Sequence, residues 1–288
     1  MLQVKKLTKL YKPNQGIQDI SFSLEKGEVC AIVGHNGSGK STLFKTMLGL
    51  IHPDEGEIKI LSNKSLSLSL GFLPENRSVI ADLKTTELIM LMAKLKGMKK
   101  DDILKKMNYW MSELQCIELK DKRLKQCSKG NQQKIQLICA LIHDPQIIIL
   151  DEPFSGLDID NTRLFQKIIN KLKKQNKTIL LSSHRFEEIE QLCDTMIVLK
   201  NSRVVIQGAL SEIRNSTNKQ TITLSDDPIL FYKDEKGVKD IIVDNNLTHY
   251  VFKNENDCLR VARMILKERD HKSIKISSLT LDDLFGVI

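Results

Sequence analysis

Val29-Cys30-Ala31-Ile32-Val33-Gly34-His35-Asn36-Gly37-Ser38-Gly39-Lys40-Ser41-Thr42 is the stretch whose reading decides the fold. Val29 to Val33 form a compact apolar run that stops at a glycine, the pattern of a fully buried strand. From Gly34 to Ser41 the residues keep the spacing G-x-x-x-x-G-K-[ST], and Lys40 to Leu50 then reads as a helix. Glycines let the backbone curl so that successive N–H groups face phosphate oxygens, and a helix N-terminus adds its partial positive charge. In such a loop Lys40 is expected to reach the β- and γ-phosphates of a nucleotide, and the Ser41 hydroxyl to ligate magnesium. A chance glycine-rich turn would need neither the strand before it nor the helix after it.

A second apolar strand, Ile147-Ile148-Ile149-Leu150, ends in Asp151-Glu152. Adjacent carboxylates at the carboxyl end of a buried strand divide into two tasks. Asp151 suits holding magnesium through its water shell, and Glu152 suits polarising a water that attacks the γ-phosphate. Ligands of open α/β sheets sit beyond the carboxyl ends of the strands, where both this pair and Gly34 fall. Further along, a helix is expected over about 160–175, with Leu164, Ile168 and Leu172 on its buried face. Thr178 to Ser182 reads as a strand, 187–194 as a short acidic helix and Met196 to Leu199 as another strand. This alternation indicates a mostly parallel α/β sheet.

Residues 2–33 read as short strands with turns, an antiparallel β subdomain, and 77–126 as a helical insert spaced by Leu88, Leu91, Met92 and Leu95. The polar stretch Asn215-Ser216-Thr217-Asn218 reads as a linker, dividing the chain into 1–214 and a small α+β appendage over 215–288. The appendage reads as strand, strand, helix (about 255–269), strand (273–277) and short helix.

With 288 residues, 41% of them hydrophobic and 28% charged, the chain has the means to bury a sizeable core. Its formal net charge is +8, yet Lys and Glu alternate without a long basic run, which suits a mixed solvated surface better than a nucleic-acid stripe. The cysteines, Cys30, Cys116, Cys127, Cys139, Cys193 and Cys258, are scattered without a C-x-x-C pair, as in a reducing compartment. Met1 to Lys6 lack the apolar core of a signal peptide, and the most apolar stretch, Ile135 to Leu150, is interrupted by His143-Asp144-Pro145. The chain is therefore expected not to cross a membrane by itself.

The set Gly34–Thr42, Cys127-Ser128-Lys129-Gly130-Asn131, Asp151-Glu152-Pro153, Ser155-Gly156-Leu157-Asp158 and Ser183-His184 resembles, in order and spacing, an ATP-binding cassette (ABC) ATPase over roughly residues 1–214. The resemblance implies a P-loop NTPase fold of ABC type, ATP and Mg2+ as ligands, and a nucleotide held by Gly34, His35, Asn36, Gly37, Ser38, Gly39, Lys40, Ser41 and Thr42. It implies that Tyr11, read as lying upstream of the first strand pair, stacks on adenine, and that His184 contacts the γ-phosphate and braces Glu152. Ser128 and Gly130 would bind the ATP held by a second subunit, and Asp158 would join the two sites, although Leu157-Asp158 also suits a helix cap before residue 160.

Two departures from the family pattern stand out. The signature usually reads Leu-Ser-Gly-Gly-Gln, and here it reads Cys127-Ser128-Lys129-Gly130-Asn131. Glu75, in Gly71-Phe72-Leu73-Pro74-Glu75, stands where most relatives carry a Gln that touches magnesium and the attacking water. Glu still accepts hydrogen bonds and approaches a cation, but it adds charge beside the phosphates. The resemblance further implies a dimer with itself or a related subunit, and separate transmembrane permease subunits whose short helix docks between insert and core. The expected location is the cytoplasmic face of the membrane, held through the permease. Glu75, Lys129 and the appendage resemble exporter subunits for sodium, drugs or antimicrobial peptides. The rival expectation is a non-transport ABC ATPase acting on ribosomes or DNA.

Overall fold

The computed structural model describes residues 2–13, 15–60, 69–75, 82–183, 185–216, 220–225, 232–244, 247–252, 254–268 and 274–278. His184, the start of the helical insert and the short helix expected at the C-terminus lie outside them. The chain divides into two compact units, Met1–Gly208 and Ala209–Ile288.

In the first unit, β1 (Leu2–Lys12) pairs antiparallel with both β2 (Gln15–Leu24) and β4 (Glu55–Ile60), giving the sheet order β2-β1-β4. The main sheet comprises β3 (Val29–Val33), β5 (Leu70–Leu73), β6 (Ile147–Leu150), β7 (Thr178–Ser182), β8 (Thr195–Lys200) and β9 (Arg203–Ala209), in the order β5-β6-β7-β3-β8-β9. Strands β5, β6, β7, β3 and β8 run parallel. Every residue of β3, β6 and β7 is buried, which is why these strands read as unbroken apolar runs rather than alternating ones.

Helix α1 (Lys40–Met47) is shorter than its expected span. Gly49 takes φ 70°, its N–H donates to Thr46 O at 3.0 Å, and Leu50 N–H donates to Lys45 O at 2.9 Å. That paired closure by a left-handed glycine ends the helix at Met47. Leu43, Phe44 and Met47 join a core cluster with Leu2, Ile20 and Phe22 of the antiparallel sheet and Cys30 and Ile32 of β3, so one core holds both sheets and the helix that follows the glycine loop.

The insert contains α2 (Thr85–Leu95) and α3 (Lys100–Glu113), then two single 3₁₀ turns, and α4 (Lys129–Leu141) follows it. Thr85 Oγ1 donates to Leu119 O at 2.6 Å, tying the start of α2 to the first of those turns. Leu88 is buried, whereas Leu91, Met92 and Leu95 are exposed (Leu95 73%). Helix α5 (Ile159–Lys174) buries Phe165, Ile168, Ile169 and Leu172. Ile168 and Leu172 are thus buried as expected, whereas Leu164 is only half-buried. A short helix, α6 (Phe186–Leu192), follows β7.

The second unit begins with α7 (Leu210–Ser216), so Asn215 and Ser216 of the expected linker are helical, and Thr217 and Asn218 lie outside the described residues. Strands β10 (Gln220–Ser225), β11 (Val238–Asp244), β12 (Leu247–Phe252) and β13 (Ile274–Ser278) form an antiparallel sheet in the order β11-β12-β10-β13, with α8 (Glu255–Glu268) between β12 and β13 in sequence. Among the described residues three strands of this unit precede α8 where two were expected. Cys258, Val261, Ala262 and Ile265 recur at helical spacing and pack on Ile222, Leu224, Tyr250 and Phe252.

Candidate active site

The site lies at the carboxyl ends of four neighbouring strands. Leu73 of β5 pairs with Leu150 of β6, Leu150 with Leu181 of β7, and Ile32 of β3 with Ser182, so these ends finish nearly level. Asp151 N–H donates to Leu73 O at 2.8 Å, which keeps the Asp151-Glu152 peptide in line with β5. Glu75 leaves the sheet after β5, Asp151 after β6 and Gly34 after β3.

These ends open on one cavity of about 210 Å3. Tyr11, His35, Asn36, Gly37, Gly39, Lys40, Ser41 and Thr42 line it, together with Glu75, Asp151 and Glu152. Tyr11 is exposed and lies within β1, inside the antiparallel pair rather than before it. Gly34 and Ser38 sit deeper in the loop. A side chain at Gly34 would collide with Ser38 Oγ and Leu199 O, so only glycine lets the loop leave β3 there. Gly39, at the N-cap of α1, takes φ 113°, and a Cβ would meet Gly16 O and Ile17. Lys40 Nζ donates to the carbonyls of Gly34 and, at 3.3 Å, His35, folding its ammonium onto the loop.

Asp151 is 8% exposed, and Ser182 Oγ donates to its Oδ1 at 2.7 Å. Burial pushes its carboxyl above the ordinary aspartate value, and the Glu75 charge pushes the same way. The Ser182 hydrogen bond and the Lys40 and Lys45 ammoniums oppose that shift. Ser182 Oγ also accepts the Glu152 N–H at 2.8 Å. Glu152 holds φ 49°, a left-handed conformation uncommon for a side-chain-bearing residue. The exposed Ser41 hydroxyl and the Asp151 and Glu75 carboxylates supply hard oxygen donors on one cavity, a donor set that fits Mg2+.

Ser128, Gly130 and Asp158 do not line this cavity but gather elsewhere. Ser128 caps α4, accepting from Asn131 N–H at 3.3 Å. Asp158 caps α5, accepting from Asn161 N–H at 2.8 Å and from its Nδ2 at 3.0 Å. A Cβ on Gly130 would lie 3.1 Å from that same Nδ2, so Asn161 joins the start of α4 to the start of α5.

Four site residues had escaped sequence reasoning. Gln15 and Gly16 line the cavity from the β1–β2 hairpin, and no motif marks them. Gln133, fully buried on α4, donates from Nε2 to Pro153 O at 3.0 Å and links that helix to the Asp151-Glu152 turn. The fourth is Ser182, whose only sequence signal was its place at the end of an apolar strand.

A family model described as ABC transporter matches residues 17–155. An uncharacterized ABC transporter ATP-binding protein of Methanocaldococcus jannaschii is 40% identical over 74% of this chain and 79% of its own length. The chain belongs to the ABC transporter ATP-binding family. Among solved structures, an ATP-binding subunit of an ABC transporter superposes with TM-score 0.70 at 30% identity, covering 75% of this chain and 92% of that one. A dimeric ATP-binding cassette in a post-hydrolysis state, bound to ADP and Pi, gives TM-score 0.65 at 25% identity, covering 73% of this chain and 99% of that one. The ABC fold accounts for the parallel sheet, the antiparallel sheet and the helical insert together. Among the described residues of this ABC subunit, no helix is long and apolar enough to cross a membrane.

Proposed function

We propose that the chain hydrolyses ATP to ADP and phosphate and that this drives transport, in the export direction, through separate transmembrane permease subunits. One observation carries the reading: residues 35–37 and 39–42 of the loop, Glu75, Asp151 and Glu152 meet on a single cavity at the ends of adjacent strands. ATP lies with its phosphates in loop 34–42 and its adenine on Tyr11, and Lys40 turns from the loop carbonyls to the phosphate oxygens. Ser41, Asp151 and Glu75 would hold Mg2+, which would supply charge neutralisation at the phosphates. Glu152 orients the attacking water and takes its proton, and His184 contacts the γ-phosphate. Ser128 and Gly130 of one copy close over the ATP of a second ATPase subunit, identical or related, with Asp158 joining the two sites. The exposed Leu91, Met92 and Leu95 suit an apolar permease helix, which would hold the chain at the cytoplasmic face of the membrane. The export direction rests on Glu75, Lys129 and the appendage. Residues 1–214 form the ATPase and 215–288 an accessory domain.

Phosphate release by the purified chain tests the hydrolytic core. Glu152→Gln keeps shape and removes base strength, so turnover is expected to fall by about 10²–10⁴-fold. Wild-type turnover in that variant would place the base elsewhere.

A further inference from the structure

We propose that Ser182 is a positioning residue for ATP hydrolysis, its one hydroxyl setting both the Asp151 carboxylate and the Glu152 backbone. The inference rests on the reading of Asp151 and Glu152 given above.

Ser182 is fully buried at the last position of β7. A buried serine hydroxyl needs a partner, and one acceptor would satisfy it. This one is used twice. It donates to Asp151 Oδ1 at 2.7 Å and accepts from Glu152 N–H at 2.8 Å, so both groups are ordered by the same oxygen. The first bond leaves Asp151 one preferred carboxylate orientation. The second stabilises the left-handed Glu152 peptide at φ 49°, the conformation that decides where the Glu152 side chain starts. The hydroxyl is itself aimed by its surroundings. Ser182 pairs with Ile32 of β3, so its register is set next to the strand that feeds the phosphate loop. The next residue is held as firmly: Ser183 Oγ donates to Glu188 Oε2 at 2.9 Å and accepts from Arg185 N–H at 3.0 Å, and Arg185 Nη1 pairs with Glu188 Oε1 at 2.6 Å.

Removing the hydroxyl leaves Asp151 and Glu152 in place chemically but free to shift. A misplacement of an ångström at a reacting group costs up to about 10²-fold, so Ser182→Ala is expected to lower kcat by roughly 10–100-fold. ATP affinity should stay close to wild type, because the phosphates are held by loop 34–42. Ser182→Thr keeps the hydroxyl, while Ser182→Val has nearly the shape of Thr without it. The decisive comparison is kcat, fluorescent-ATP affinity and melting temperature of Thr against Val in the full chain, beside Glu152→Gln. The proposal expects Thr to retain most of kcat, Val to fall with Ala, and nucleotide affinity to hold in all three. It also expects Ser182→Ala to cost less in the Glu152→Gln background than in wild type, since the Glu152 share of its effect is already lost and only the Asp151 share remains. Equal kcat losses in Thr and Val would mean packing rather than the hydroxyl matters, and would overturn the proposal. So would unchanged kcat in Ser182→Ala with Glu152→Gln impaired, a result that leaves the catalytic reading standing. Wild-type turnover in Glu152→Gln would overturn both.

Discussion

Glu152 holds a backbone conformation that costs an L-residue about 1–2 kcal/mol, at a position where glycine would sit without strain. Glu152 lines the cavity beside Asp151, which puts the strained residue where the proposed catalytic task would need it. Asp151 tells a parallel story. Its carboxyl is raised chiefly by burial, so its contribution to stability is fully present below the unfolded aspartate value and is lost as pH rises through the folded value. Above the folded value the ionised carboxylate therefore weighs against the nucleotide-free fold. Asp151→Asn, which still accepts from Ser182, should raise the melting temperature at pH 7, give no gain at pH 3, and abolish magnesium-dependent hydrolysis. Equal gains at both pH values would contradict this account. Glu75→Gln removes a charge that pushes Asp151 upward while keeping an accepting oxygen, so turnover should be unchanged or modestly altered. Complete loss of phosphate release would mean that the Glu75 carboxylate itself is required. At this scale the sequence was legible where chemistry demands a residue type at a fixed spacing, as in Gly34–Thr42 and Asp151-Glu152. Ser182 was not, because a serine at a strand end has no local signature and its role depends on what the neighbouring strand presents.

Among the elements, the glycine loop and α1 act as one device. Gly39 has both a left-handed φ of 113° and a neighbouring carbonyl where a Cβ would stand. Gly39→Ala should consequently displace the loop and weaken fluorescent-ATP binding, even though no ligand group is lost. Retained affinity would show that the loop tolerates the shift. The buried strands β3, β6 and β7 were legible as apolar runs, because strands covered on both faces carry no polar alternation. The α5 stripe was legible at Ile168 and Leu172, while the strict four-residue spacing picked the half-buried Leu164 and passed over Phe165 and Ile169, which share the buried face. In the second unit the β11–β12 pair was undercounted. Strand β11 alternates weakly, with Lys239, Asp240 and Val243 exposed, and a half-solvated strand of that kind resembles a loop.

At the scale of the molecule, the division into Met1–Gly208 and Ala209–Ile288 separates every described residue of the cavity from the appendage. A chain ending at Ser216 should thus bind ATP with similar affinity, and loss of binding in a folded truncation would contradict that separation. The first unit also carries Ser128, Gly130 and Asp158 away from the cavity, on caps joined through Asn161, as the proposed closure over a second subunit's ATP requires. The central claim is that ATP bound in loop 34–42 is hydrolysed by way of Glu152 between two ATPase subunits. Light scattering of Glu152→Gln with ATP and Mg2+ tests it most directly. If the chain pairs with itself, the variant should run as a dimer in ATP, as a monomer in ADP, and as a monomer in ATP once Lys40→Ala is added. A dimer that persists in ADP and in the Lys40→Ala background would contradict the claim.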